Sequence, residues 1–218
     1  MKVLRDPSSG SRAGLTASRN RFGQYDRTRA IPVNPSSAAQ GLVRARLAAN
    51  SATWRALTAG QRAGWGSLGQ QMVRTDSLGQ SYSLQPNQAH ASVNNNRVLS
   101  GLAVVADAPA LTTPPTLLTV TITLTAAAFS IAFTPTPLPA ATYLAVFASP
   151  QRSAGRSFEG DLRFVKLSTV AQASPIVILT EYTAKFGVPV VGNRVFLNFV
   201  CVSLGFESGP LDASAVVA

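Results

Sequence analysis

Leu118-Thr119-Val120-Thr121-Ile122-Thr123-Leu124-Thr125 alternates apolar residues with threonine over eight positions. A period of two puts the leucine, valine and isoleucine side chains on one face of an extended strand and the threonines on the other. Phe129, Ile131 and Phe133 repeat the pattern, and a proline-rich turn follows at Pro135, Pro137 and Pro139. Further strands are expected at 142–148, 162–169, 176–183, 194–204 and near 213–217. About seven short strands with turn signals between them, in roughly 100 residues, predict an antiparallel β-sandwich over 116–218.

Upstream the pattern changes. Residues 103–115 are rich in Ala, Thr and Pro and read as a linker. Before them, Val43, Leu47, Asn50, Trp54 and Leu57 recur at spacings of four and three, the stripe of a helix, with Ser36 or Ser37 as its N-cap. Thr58-Ala59-Gly60-Gln61 has the form of a capping box, so a second helix starts there, with Trp65, Leu68 and Met72 on its apolar face. The expected core of this helical hairpin is Val43, Leu47, Trp54, Leu57, Trp65 and Leu68, with the two tryptophans meeting between antiparallel helices. A turn at Asp76-Ser77-Leu78-Gly79 and a short strand at 81–84 lead to a third helix. That helix opens at Pro86, carries Ala89 and Val93 on one side and stops at Gly101. The helical unit is therefore 36–102, and the fold class is α+β.

Residues 1–35 hold Arg12, Arg19, Arg21, Arg27 and Arg29 but few apolar groups, among them Leu15, Phe22, Tyr25 and Ile31. So little apolar surface does not offset chain entropy, and the segment reads as an extended basic arm. Of the 218 residues 19 are Lys or Arg against 9 acids, and 16 of the 19 are Arg. The excess sits in residues 1–110, which carry +9, whereas 111–218 carry +1. A half this basic implies an anionic partner, either nucleic acid or an acidic protein surface. Arg12, Arg19, Arg21, Phe22, Tyr25, Arg27 and Arg29 are the expected partner-binding residues, the two aromatics being able to stack on bases or enter a protein groove.

Catalytic chemistry has little to draw on. His90 is the one histidine and Cys201 the one cysteine, so no His/Cys metal cluster and no intrachain disulfide can form. Gly64-Trp65-Gly66-Ser67-Leu68-Gly69 fits a dinucleotide-loop spacing, but its glycines fall within a helix with no strand before them. Glu159 and Asp161 lie in a glycine-flanked loop with Arg156 and Arg163 close by, which reads as a solvated turn. No enzyme, metal or cofactor is expected. No apolar run approaches the ~18 residues of a membrane helix, and Met1-Lys2-Val3-Leu4-Arg5-Asp6-Pro7 has no secretory h-region.

Two resemblances sharpen these expectations. Val195-Phe196-Leu197-Asn198-Phe199-Val200-Cys201-Val202, followed by Gly205-Phe206-Glu207-Ser208-Gly209-Pro210, resembles the penultimate strand and turn of fibronectin type III modules. This implies an immunoglobulin/fibronectin III-like sandwich, although the early buried tryptophan of that family is missing. The run Asn34-Pro35-Ser36, Gln40, Val43-Arg44, Trp54-Arg55-Ala56-Leu57-Thr58, Gln61-Arg62 and Trp65 is similar to a segment of tailed-bacteriophage virion proteins. That similarity implies a structural role in the virion, in capsid decoration or at the head–tail connector, among other virion proteins and in many copies. A non-specific DNA-binding protein using the arginine-rich arm is the alternative.

Overall fold

The computed structural model describes residues 9–218 except Phe22, Pro32, Val33, Pro35 and Ser77. It forms two compact units, the described residues up to Val43 and the unit Arg44–Ala218. The fold is mixed α+β, and its sheets are antiparallel.

The first unit holds strands β1 (Gly10–Arg12), β2 (Leu15–Asn20) and β3 (Gly23–Thr28), a meander in the order β1-β2-β3. The segment expected as an extended arm is thus a sheet over residues 10–28. Its strands are built from Ser, Thr, Gln, Tyr and Arg, so the pairing is carried by backbone hydrogen bonds rather than by apolar burial. Helix α1 (Ala38–Ala56) begins in this unit and continues into the second.

In the second unit, α2 (Ala59–Gln71) starts at the expected capping box: the Thr58 amide donates to Gln61 Oε1 at 3.0 Å and the Gln61 amide to Thr58 Oγ1 at 3.2 Å. The two-stranded hairpin of β4 (Val73–Thr75) and β5 (Ser81–Ser83) leads to α3 (Pro86–Leu99), which Gly101 terminates at φ +72°. Helix α2 packs against α3. Their cluster contains Leu57, Trp65, Leu68, Ala89, Val93 and, from far along the chain, Phe206. Gly69 lets the two layers touch: a Cβ there would lie 2.5 Å from the Leu84 carbonyl oxygen. Of the three glycines of the loop-like motif, Gly69 alone is required by a close approach; a Cβ on Gly64 or Gly66 would make only ordinary contact at 3.7 Å.

Trp54 and Trp65 do not simply stack on each other. His90 of α3 contacts both rings, with centroids 5.5 Å and 5.1 Å away. Two residues of the expected hairpin core also need correction: Val43 is 65% and Leu47 57% exposed. Among the described residues of α1 the first buried one is Asn50, whose amide donates to Asn95 Oδ1 at 2.8 Å.

The expected linker is pinned down. Trp65 Nε1 donates to the Ala106 carbonyl at 2.7 Å, and Arg97 Nε donates to the Ala103 carbonyl at 2.7 Å. The Asn94 amide brackets Val105, donating to its carbonyl at 3.1 Å and accepting from its N–H at 2.9 Å.

Beyond it come β6 (Thr119–Leu124), β7 (Phe129–Thr134), β8 (Thr142–Ala148), β9 (Arg152–Ser153), β10 (Arg163–Leu167) and β11 (Ile176–Val177). Helix α4 (Leu179–Phe186) follows, then β12 (Asn193–Ser203), β13 (Phe206–Glu207) and β14 (Leu211–Val216). One sheet has the order β11-β7-β6, and the other runs β10-β8-β12 with β9, β13 and β14 also pairing with β12. Phe129, Ile131, Leu144, Val146, Leu197, Phe199 and Cys201, drawn from both sheets, belong to one buried cluster. In β6 the threonines face outward as expected, but Leu118 lies before the strand at 76% exposure, and Leu117 is the buried residue. The strand expected at 176–183 is short, because the chain turns into α4 at Ile178. There Leu179, Tyr182 and Phe186 repeat at helical spacing and pack on the core.

Candidate macromolecular interface

The register of the meander distributes the arm residues between two faces. Paired residues of an antiparallel ladder share a face. Arg12 pairs with Leu15, Ala17 with Asp26, and Arg19 with Gln24, which places Arg12, Arg19, Leu15 and Asp26 together. Thr16 pairs with Ser11 and with Arg27, and Ser18 pairs with Tyr25, so Tyr25 and Arg27 lie on the opposite face with hydroxyl side chains. Ser11 Oγ and Thr16 Oγ1 stand 3.0 Å apart on that face. Arg21 belongs to the turn between β2 and β3, and the Arg29 amide donates to the Gly14 carbonyl at 2.8 Å just past β3. Phe22 lies outside the described residues. The seven expected binding residues are therefore not one surface.

Both faces carry exposed and half-buried side chains. Among the described residues from 9 to 49 no side chain is buried; each is exposed or half-buried. A small sheet without a hydrophobic face is at best marginally stable in water. The same holds for the first turns of α1, where Leu42, Val43 and Leu47 are exposed on either side of Arg44 and Arg46 in the sequence. Ser37 and Gln40 cap that end reciprocally, each amide donating to the other's side chain at 3.3 Å.

The groups with reactive chemistry are buried instead. His90 is fully enclosed, and neither ring nitrogen meets a hydrogen-bonding partner among the described residues. Burial lowers its pKa below the ordinary value, so the neutral ring packs between the tryptophans. Burial in the sheet core pushes the Cys201 thiol up to about 11 and the Tyr182 phenol up to about 12, the latter donating to the Ser149 carbonyl at 3.2 Å. Arg152 of β9 forms an ion pair with Asp161 of the glycine-flanked loop, whose carboxylate stays exposed. Among the described residues no cluster of His, Cys, Asp and Glu could hold a metal ion, and no helix is long and apolar enough to cross a membrane.

The β12–β13 corner, expected from the sequence only as a turn leading into the last strand, ties the sheets to the helices. Asn96 Nδ2 donates to the Gly205 carbonyl and to Glu207 Oε1, both at 3.1 Å, and Arg74 reaches Glu207 Oε2 at 3.4 Å. Compared with known protein families, characterised proteins and solved structures, the chain matches none.

Proposed function

We propose that this chain is a non-enzymatic structural component of a tailed-phage virion, acting in capsid decoration or at the head–tail connector. It works through subunit contacts made by the meander and by α1, with other virion proteins and in many copies, and it resides in the assembled particle. The observation that carries this reading is that β1, β2, β3 and the start of α1 form without a single buried side chain among the described residues from 9 to 49. Such a segment gains the burial it lacks by docking on a partner, and ordered arms add large contact area in assemblies.

The C-terminal sheets are read as a fibronectin III-like sandwich. What supports this is three strands in the order β6-β7-β11 facing a sheet in which long β12 lies between β8 and β14. The turn after β12 adds a reciprocal pair: the Cys201 amide donates to Ser208 Oγ at 3.0 Å and the Ser208 amide to the Cys201 carbonyl at 2.9 Å.

The test is particle composition. Particles purified from a producing culture should contain the chain in a fixed copy number that survives salt washing and nuclease. Its absence from particles overturns the reading. The second reading, non-specific DNA binding, is favoured by the arginines present on both faces of the meander, and it is separated by the salt dependence of binding.

A further inference from the structure

The outer face of the larger sheet meets the end of α3 along an open apolar groove of about 290 Å³. Leu99 of α3, Ala145 and Phe147 of β8, Leu162, and Val200 of β12 line it. These residues alternate with the inward-facing Leu144, Val146, Phe199 and Cys201, so β8 and the Val200–Val202 end of β12 carry apolar residues on both faces. A sheet with two apolar faces is normally covered on both. The charged residue lining the groove is Glu207, whose ion pair with Arg74 is long at 3.4 Å and half exposed. A second carboxylate, Asp212, accepts from the lining residue Asn198 at 2.6 Å.

The first turns of α1 present the complementary surface. Val43 and Leu47 continue the stripe of Asn50 and Trp54, which is covered by the protein's own α3, and Leu42 lies next to them. The helix carries Arg44, Arg46 and Arg55 and no acid. We infer that the 42–47 segment of α1 from one copy of this chain seats in the Leu99–Phe147–Val200 groove of the next copy, with its arginines toward Glu207 and Asp212. Charge decides against the two-fold alternative, in which two α1 helices pair and bring arginine against arginine. A knob and a groove on different parts of one chain make a heterologous contact, the kind that builds rings or stacks. This inference rests on the assembly reading above and names its self-contact.

The experiment is sedimentation equilibrium on the purified, nuclease-treated full chain over a wide concentration range. The wild type should show mass rising with concentration, weakly, as small interfaces do. Leu47→Asp and Leu162→Arg should each weaken association by roughly ten- to a hundredfold, the worth of one buried aliphatic side chain. An equimolar mixture of the two variants should form a dimer that grows no further, because one variant retains the groove and the other the helix. Leu99→Arg serves as a second groove variant if Leu162→Arg loses its native circular dichroism spectrum. A wild type that stays monomeric throughout, or folded variants whose mixture stays monomeric, overturns the contact. Particle content is measured separately, so a monomeric chain still found in particles sinks this inference and leaves the virion role standing.

Discussion

Gly205 lies so close to Val93 that a Cβ on it would stand 2.7 Å from the Val93 carbonyl oxygen and 2.8 Å from its Cγ1. It also holds φ +100°, a conformation that L side chains rarely adopt. The β12–β13 turn is therefore fitted into the face of α3, and sheet and helix are one folding unit there. Gly205→Ala is expected to cost about 1–3 kcal/mol from backbone strain alone, with the overlap added to it. A thermal melt should show a drop of several degrees. Gly209→Ala, where a Cβ meets nothing within 4 Å, should melt like the wild type.

The same contact predicts how fragments behave. Phe206 is buried among Trp65, Leu68 and Val93, so a fragment of residues 111–218 exposes it. Loss of one such burial costs ~1.5–3 kcal/mol. A fragment of residues 44–218 should therefore melt clearly above 111–218, by circular dichroism under matched conditions. Equal melting temperatures would mean that the helices add nothing to the sheets.

Legibility in the sequence followed the range of the interactions. The alternation of Phe129, Ile131 and Phe133 is local, and it identified β7 and its buried face correctly. The capping box at Thr58 and the stop at Gly101 are local too, and both stand where the sequence placed them. The 3.6-residue stripe of α1 was equally readable as a helix, but periodicity does not say what covers a stripe, and Val43 and Leu47 are uncovered. The β-branched run Ile176-Val177-Ile178 masked the helical spacing of Leu179, Tyr182 and Phe186 just behind it. The meander escaped notice because its strands carry no apolar alternation; the turn-forming Gly14 and Gly23 were its available signals. His90 between the tryptophans, and Phe206 in the helical cluster, depend on long-range packing with no local signature.

His90 gives a pH dependence with a definite sign. Burial holds its folded-state pKa below the ordinary 6.5, so the unfolded chain binds a proton that the folded one resists. The contribution to stability is full above pH 6.5 and declines as pH falls below it, by at most about 1.4 kcal/mol per pH unit. Urea unfolding between pH 7.5 and 5.5 should show this decline, and His90→Phe should flatten it, since the chain has no other histidine. An unchanged slope in the variant would assign the effect elsewhere.

Cys201 should be chemically silent while the protein is folded. It is buried in the sheet core with its thiol pushed up to about 11, and the thiolate is the reactive form. Thiol titration with an aromatic disulfide at pH 8 should detect no cysteine in the native protein and one after unfolding. Rapid native labelling would contradict the buried position.

The two faces of the meander make the last prediction. The Tyr25–Arg27 face joins an aromatic ring to an arginine and, among its residues Ser11, Thr16, Ser18, Asn20 and Gly23, holds no carboxylate. The opposite face carries Asp26 together with Arg12 and Arg19, and the carboxylate reduces its net charge. Burying an aromatic side chain contributes ~1.5–3 kcal/mol, against ~0–1 for an exposed ion pair. Tyr25→Ala with Arg27→Ala should therefore impair incorporation into particles far more than Arg12→Ala with Arg19→Ala, scored by complementing particles that lack the chain. If DNA were the partner, five phosphate contacts would give a log–log salt slope of about −4.5, and either arginine loss would lower it by about 0.9 per residue. Equal impairment from both pairs, together with that steep slope on duplex DNA, would transfer the role of the meander from protein contact to phosphate neutralisation.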